Sequence, residues 1–159
     1  MKKILSTIFV IFFSIVLYGQ KIPNSQVKSL DNKIVDVSTI VENGSEPVLI
    51  CFFATWCKPC VKELDAFSDE YIDWVDETGV KIIAISVDNV RSSSSVSPFI
   101  NARGWEFEVY LDPNSDFKRA LNVSNIPHTL LVVNGKIVWQ HTSYLEGDED
   151  EVYEMIKQY

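Results

Sequence analysis

Two apolar runs dominate the hydrophobic pattern of the chain after its first 19 residues. They are PVLICFFA at residues 47–54 and VKIIAISVD at residues 80–88, and both are rich in residues that favour strands. Runs of this length without polar alternation are typical of strands that are buried on both faces. The pattern therefore predicts two neighbouring strands in the centre of a sheet.

Further strands are predicted on either side of these two runs. In residues 129–141 the apolar segments TLLVV and KIVWQH flank Asn134–Gly135, a pair that favours a two-residue turn and hence a hairpin. Residues 27–37 alternate enough to form a second hairpin about Asp31–Lys33, and residues 106–111 predict one more strand.

A long amphipathic helix follows the first apolar run. We expect it to extend from Pro59 to about Asp76, with Pro59 in the first turn, where a missing N–H is not needed. The evidence for this helix is a set of apolar residues that recur at helical spacing and form one face. They are Val61, Leu64, Phe67, Tyr71, Trp74 and Val75.

Shorter helices are predicted at four places, each opening at a serine or an aspartate. For the second of them, Ser97 is the expected cap and Pro98 the first helical residue, and the serine-rich stretch before it is predicted to be a loop. The alternation of strands and helices predicts an α/β fold with a central mixed sheet flanked by helices. The four helices are expected at 38–44, 97–103, 115–121 and 148–158.

The first 19 residues have the order of a secretory signal. Lys2 and Lys3 precede an apolar run over residues 4–17, and Gly19 marks a possible cleavage edge. We expect cleavage there, export to the periplasm and one domain over residues 20–159. The match to the small-x-small cleavage rule is imperfect, so a membrane anchor over residues 4–18 is the alternative.

Composition and charge narrow the class of protein further. The chain has 159 residues, of which 47% are hydrophobic and 23% are charged, as expected of one globular domain. The formal net charge is −8, and no cluster of basic residues stands out beyond Lys2–Lys3. This balance argues against a nucleic-acid partner.

Cysteine chemistry is the strongest functional signal. The stretch ATWCKPC places Cys57 and Cys60 two residues apart, and Cys51 is the third cysteine. A structural disulfide over so short a loop stabilises little. A structural zinc site needs four ligands, and the histidines His128 and His141 do not have finger spacing. A redox-active pair is the favoured interpretation.

The predicted helix start explains why the two cysteines have this spacing. Cys57 lies at the amino end of the helix, where free N–H groups and the helix dipole stabilise a thiolate. Lys58 adds a positive charge nearby, and Cys60 lies one turn further in. We therefore expect Cys57 to be the exposed nucleophile and Cys60 the enclosed resolving thiol.

Two motifs in this order resemble a known family. FFATWCKPCVKEL at residues 52–64 and NIPHT at residues 125–129 are similar to the thioredoxin-fold thiol–disulfide oxidoreductases, and most similar to the exported TlpA/ResA-type proteins. The resemblance covers roughly Ile22 to the end of the chain. It implies a thioredoxin fold with an extra amino-terminal hairpin and a central insertion.

The resemblance assigns roles to residues around the pair. Trp56 and Pro59 belong to the Trp-Cys-x-Pro-Cys motif. Pro127 would be the cis proline that faces the disulfide, with Ile126 presenting its backbone to a substrate strand; a trans proline in a loop is the alternative. His128 departs from the more common threonine at its position.

Three other positions bear on proton transfer and helix shape. Cys51 replaces the buried acid of thioredoxin, and we expect it to act as a small buried hydrophobe. Glu63 matches a family glutamate that lies beside the pair; it is either a solvated charge or the acceptor of the Cys60 proton. Asp65 stands where the family often has proline, which implies a softer helix kink.

The resemblance also implies an activity. The expected function is reduction of protein disulfides by a monomer that needs no cofactor and no metal beyond its own Cys57–Cys60 disulfide. Apocytochromes or other envelope proteins are the implied substrates, and a membrane thiol protein is the implied electron donor. The alternatives are a disulfide oxidase or isomerase that uses the same pair, and a binding module that handles metal or haem.

Overall fold

The computed structural model describes residues 20–159 and shows a seven-stranded mixed sheet flanked by helices. The order of the strands across the sheet is β2-β1-β5-β4-β3-β6-β7. The thioredoxin fold and the amino-terminal hairpin are thus present as predicted. The strands are β1 Gln26–Lys28, β2 Ile34–Asp36, β3 Val48–Phe53, β4 Lys81–Ser86, β5 Glu108–Leu111, β6 His128–Val133 and β7 Lys136–Thr142.

Five α-helices connect or follow these strands in the described part of the chain. The second helix has 21 residues and includes the second cysteine of the CxxC motif. The segment α3–β5 lies between the long helix and Pro127, where the central insertion was predicted. The helices are α1 Val37–Ile40, α2 Lys58–Thr78, α3 Val96–Arg103, α4 Asp116–Ala120 and α5 Asp148–Ile156.

Strand β3 lies in the middle of the sheet and separates two apolar layers. It pairs in parallel with β4 and antiparallel with β6, and all six of its residues are buried. Side chains on a strand point alternately to opposite faces. Accordingly Leu49, Cys51 and Phe53 pack in the layer that contains α2, whereas Val48, Ile50 and Phe52 pack in the opposite layer.

The layer over α2 contains most of the aromatic residues of the core. Phe67 and Trp74 of this helix have ring centroids 5.3 Å apart, and Trp74 stacks on Tyr153 of α5. Phe53 at the end of β3 contacts Trp105 edge-on at 5.5 Å. These contacts fix the long helix against the sheet close to the CxxC motif.

The structure corrects two predicted helix caps and one predicted loop. Helix α1 begins at Val37 with Asp36 as its cap, so Ser38 is not a cap. Helix α3 begins at Val96, whose side chain is fully buried, so Ser97 is not a cap either. The serine-rich stretch, predicted to be a loop, includes a 3-10 turn at Ser93–Ser95. Because Val96 is buried within the helix, α3 begins earlier in the chain than predicted.

The predicted signal segment at residues 1–19 lies outside the described residues. Within residues 20–159, none of the helices combines the length and the apolar character that a membrane span requires.

Candidate active site

Cys57 and Cys60 form a disulfide at the amino end of α2. Their Cα atoms are 5.3 Å apart. Cys57 occupies the capping position, and its Sγ accepts a hydrogen bond from the backbone N–H of Cys60 at 3.4 Å. A free N–H of the first helical turn, that of Cys60, therefore points towards the sulfur that was predicted to be the nucleophile.

Exposure of the pair differs from the sequence-based expectation. Cys57 is only 6% exposed and Cys60 is 0% exposed, so Cys57 is not the exposed residue that was predicted, although it remains the more accessible of the two. The enclosing disulfide and the packed helix start account for this. Its neighbours Lys58 and Pro59 are exposed, and the ring of Trp56 is 66% exposed.

Glu63 is the buried carboxyl group of the site. It lies three residues after Cys60 on the same buried face of α2 and is 1% exposed. Its Oε1 accepts a hydrogen bond from the Thr129 hydroxyl at 3.0 Å, and its Oε2 has no hydrogen-bond partner among the described residues. Burial raises the pKa of Glu63 to about 8, the bond from Thr129 opposes the rise and the charge of Asp148 adds to it. The solvated alternative for Glu63 is thus ruled out.

Cys51 is fully buried in β3, directly opposite Thr129 of β6 in the strand register. Burial raises the pKa of its thiol well above the ordinary value, and the Glu63 carboxylate raises it further. A thiol with so high a pKa supplies little thiolate and is a poor nucleophile at neutral pH. The expected role of Cys51 as a small buried side chain fits these observations.

The Ile126–Pro127 peptide bond is cis, as the family resemblance predicted. Pro127 is buried and its carbonyl oxygen accepts a hydrogen bond from the N–H of Ser143 at 3.0 Å. The next residue, His128, pairs with Phe52 near the end of β3. The segment with Ile126 therefore lies at the edge of the sheet where β3 leads into the disulfide.

Asp65 connects the site helix to the central insertion. Its carboxylate accepts hydrogen bonds from the side chain of Arg103 and from the indole Nε1 of Trp105, the latter at 2.9 Å. Helix α2 continues without interruption through this position. Asp65 thus stabilises the packing of the insertion beside the CxxC motif.

Sequence reasoning missed a second buried carboxyl group near the pair. Asp88, which was assigned to the strand, follows the end of β4 and accepts two hydrogen bonds from Thr55, two residues before Cys57. The only sequence signal was an acid at the end of an apolar run. Nothing in that signal indicates a contact with a residue 33 positions earlier in the chain.

The histidines that a metal site would need have other contacts. His128 Nδ1 lies 2.8 Å from the Thr142 hydroxyl, and His141 Nε2 lies 3.3 Å from a carboxylate oxygen of Asp148. Within residues 20–159, no group of three or more His, Cys, Asp or Glu side chains is arranged to hold a metal ion.

Comparison with known proteins agrees with this geometry. The AhpC/TSA family model matches residues 18–140. The thiol–disulfide oxidoreductase ResA of Bacillus thuringiensis (strain Al Hakam) is 32% identical over 123 residues, which is 77% of this chain and 68% of that protein. ResA of Bacillus subtilis (strain 168) is 31% identical over 121 residues, or 76% of this chain and 64% of that protein.

Solved structures give the same fold. A thioredoxin-like protein from Porphyromonas gingivalis is 46% identical, with a TM-score of 0.76 over 89% of this chain and 92% of the other. StoA from Bacillus subtilis is 20% identical, with a TM-score of 0.63 over 84% and 97% of the two chains, and supports the fold alone. The chain therefore belongs to the AhpC/TSA family and is a thiol–disulfide oxidoreductase of the TlpA/ResA type within the thioredoxin fold.

Proposed function

We propose that the protein is an exported reductase of protein disulfides that acts through Cys57 and Cys60. The observation that carries the proposal is the closed Cys57–Cys60 disulfide at the amino end of α2, with Glu63 buried one turn beyond it. This arrangement combines a site for a thiolate with a proton acceptor behind the second thiol.

The reaction starts from the reduced pair. The Cys57 thiolate attacks one sulfur of the substrate disulfide, and the other substrate sulfur leaves as a thiolate that takes up a proton. The Cys60 thiolate then attacks Cys57 Sγ, closes the Cys57–Cys60 disulfide and releases the second substrate thiol. Two electrons pass from the pair to the substrate, and a thiol donor must reduce the pair again.

Glu63 has a defined part in the second step. Cys60 is fully buried, so its thiol needs an acceptor for its proton within the protein. The ionised Glu63 carboxylate can take that proton, since the two residues lie one turn apart on the same helix face. Because its pKa is about 8, Glu63 can exchange a proton near neutral pH.

The surroundings of the pair favour reduction over oxidation. A strongly oxidising pair is one whose reduced, thiolate form is stabilised. Within residues 20–159 the Cys57 Sγ accepts one hydrogen bond, of 3.4 Å, and Lys58 is exposed to solvent, which screens its charge. The formal net charge of −8 also disfavours a further negative charge. We therefore infer that the pair is a reductant.

The reduction potential tests the direction of electron flow. Equilibration with glutathione or dithiothreitol should give a potential below about −220 mV, towards the range of thioredoxin. Cys51→Ala should have the same potential, because Cys51 lies outside the pair. A potential near about −120 mV, typical of a strong oxidant, would contradict the proposal and favour an oxidase.

The proposed location and partners follow from the amino-terminal sequence and the family. We propose that residues 1–19 direct export, that the substrates are envelope proteins such as apocytochromes, and that a membrane thiol protein is the donor. The protein would act as a monomer without another cofactor. Intact-mass measurement of protein from the cell envelope should show a chain that begins at Gln20. A chain that retains Met1 would instead support a membrane anchor.

A further inference from the structure

A buried carboxylate lies behind the loop that leads to Cys57. Asp88 is 0% exposed and follows the end of β4 by two residues. It accepts hydrogen bonds from the Thr55 N–H at 2.8 Å, the Thr55 hydroxyl at 2.7 Å and the Ser86 hydroxyl at 3.0 Å. Its own N–H donates to the Ser86 hydroxyl at 3.1 Å. One side chain thus joins the ends of two parallel strands.

The bonds from Thr55 reach the connection between β3 and α2. This connection is only four residues long, from Ala54 to Cys57. The N–H of Cys57 donates to the Ala54 carbonyl at 3.0 Å, and the N–H of Val87 donates to the Phe53 carbonyl at 2.8 Å. Asp88 supplies the side-chain restraint at the middle of this connection, two residues before the cysteine.

The partners of Asp88 are neutral. None of the ion pairs within residues 20–159 involves this carboxylate, and all three of its donors are a backbone amide or a hydroxyl. Burying a carboxylate without a cation is costly unless its oxygens are fully hydrogen-bonded. Asp88 offers two acceptor oxygens in a fixed plane, which lets it hold the N–H and the hydroxyl of Thr55 together.

We propose that Asp88 is a positioning residue for the nucleophile: through Thr55 it holds Cys57 at the cap of α2. In that position the Cys57 Sγ accepts a hydrogen bond from the N–H of Cys60. It also lies at the positive end of the helix dipole. The inference rests on the proposed role of Cys57 as the attacking thiol. A small shift of a reacting group can cost about 10²-fold in rate, so a restraint two residues away matters.

A positional role and a pure charge effect of Asp88 predict opposite changes in the Cys57 pKa. If Asp88 acts by position, its removal loosens the cap, weakens the stabilisation of the thiolate and raises the Cys57 pKa. If it acted only through its negative charge, removal would lower the Cys57 pKa. The sign of the change in the Cys57 pKa therefore distinguishes the positional role from the charge effect.

Asp112 provides a matched control. It follows β5, the strand next to β4, is 2% exposed and accepts backbone N–H bonds from Asp116 and Lys118 at 2.8 and 2.9 Å. Like Asp88 it is a buried carboxylate that holds a connection after a parallel strand. Its connection leads to α4 and not to the disulfide. Asp112→Asn should lower Tm without changing the pKa or the alkylation rate of Cys57.

The experiment measures alkylation of the reduced protein by iodoacetamide across pH, with Cys57 followed by peptide mass spectrometry. Asp88→Asn should raise the Cys57 pKa by about one unit and lower its rate at pH 6.5 by about tenfold. Thr55→Val loses only the hydroxyl bond to Asp88 and keeps the backbone N–H bond. Its Cys57 alkylation rate at pH 6.5 should therefore fall by only about threefold. Thr55→Ser keeps a hydroxyl and should restore the rate.

Three results would overturn the inference. A lower Tm for Asp88→Asn with unchanged Cys57 rate and pKa would make Asp88 merely structural, and a lowered Cys57 pKa would make it a charge effect. If Asp88→Asn does not fold, equal Cys57 rates in Thr55→Val and Thr55→Ser would overturn it as well. A failure of the proposed function is distinct: it would appear as preferential labelling of Cys60 in the unmodified protein.

Discussion

Glu63 shows how burial changes the chemistry of a single side chain. It lies on a helix whose other acidic residues are mostly exposed, yet it is 1% exposed and bonded to Thr129. Burial raises the pKa of Glu63 to about 8. The group is therefore largely protonated at pH 7 and becomes a proton acceptor as the pH rises.

Glu63→Gln tests this role in catalysis. We expect release of the mixed disulfide to slow by about 10²-fold, while the first attack by Cys57 changes little, because only Cys60 gives its proton to Glu63. In the unmodified protein the release rate should rise with pH towards about 8, and in Glu63→Gln this rise should be absent. Stopped-flow measurement separates the two steps.

Glu70→Gln is the control for this variant, since Glu70 is exposed on the same helix. It should leave both steps unchanged.

The same variants should also differ in how their stability depends on pH. Because the pKa of Glu63 is raised, the stability that its proton contributes is complete below the ordinary carboxyl pKa of 4.5 and is lost as the pH rises through about 8. Urea unfolding from pH 5 to 9 should show this loss in the unmodified protein and in Glu70→Gln, but not in Glu63→Gln.

At the scale of elements, the patterns that depend on local sequence were predictable. The buried strand β3, the hairpin about Asn134–Gly135 and the long helix α2 all appear where the apolar period and the turn residues indicate. The junction of β3 and α2 is the core of the site. Its cysteine spacing follows directly from the helix start, so the pair could be found from sequence alone.

Elements whose limits depend on distant contacts were predicted less well. Helix α3 begins at Val96 because that side chain is buried in the core, whereas the neighbouring serines suggested a later cap. Strand β4 ends at Ser86, and Asp88 beyond it accepts hydrogen bonds from Thr55 in the connection between β3 and α2. Such a contact between two segments far apart in the chain has no local signature. The burial of Glu63 was open for the same reason, because it depends on β6 packing over α2.

At the scale of the whole molecule, the parts of the site meet at one edge of the sheet. The parallel strands β3 and β4 end there, and the antiparallel strand β6 begins there next to Pro127. The exposed ring of Trp56 projects at the same junction. The fold thus presents a nearly enclosed disulfide beside an exposed aromatic ring, while the resolving thiol and Glu63 are held behind it.

The central claim is that Cys57 attacks and Cys60 resolves, and a trapped intermediate tests it most directly. Reduced Cys60→Ser is mixed with a peptide that carries one internal disulfide, and the product is examined by intact-mass and peptide mass spectrometry. We expect one peptide bound through Cys57 in a bond that dithiothreitol breaks, since nothing remains to resolve it. Cys51→Ala combined with Cys60→Ser should trap equally well, because Cys51 is fully buried. Absence of an adduct in Cys60→Ser, or an equal adduct in Cys57→Ser, would contradict the account.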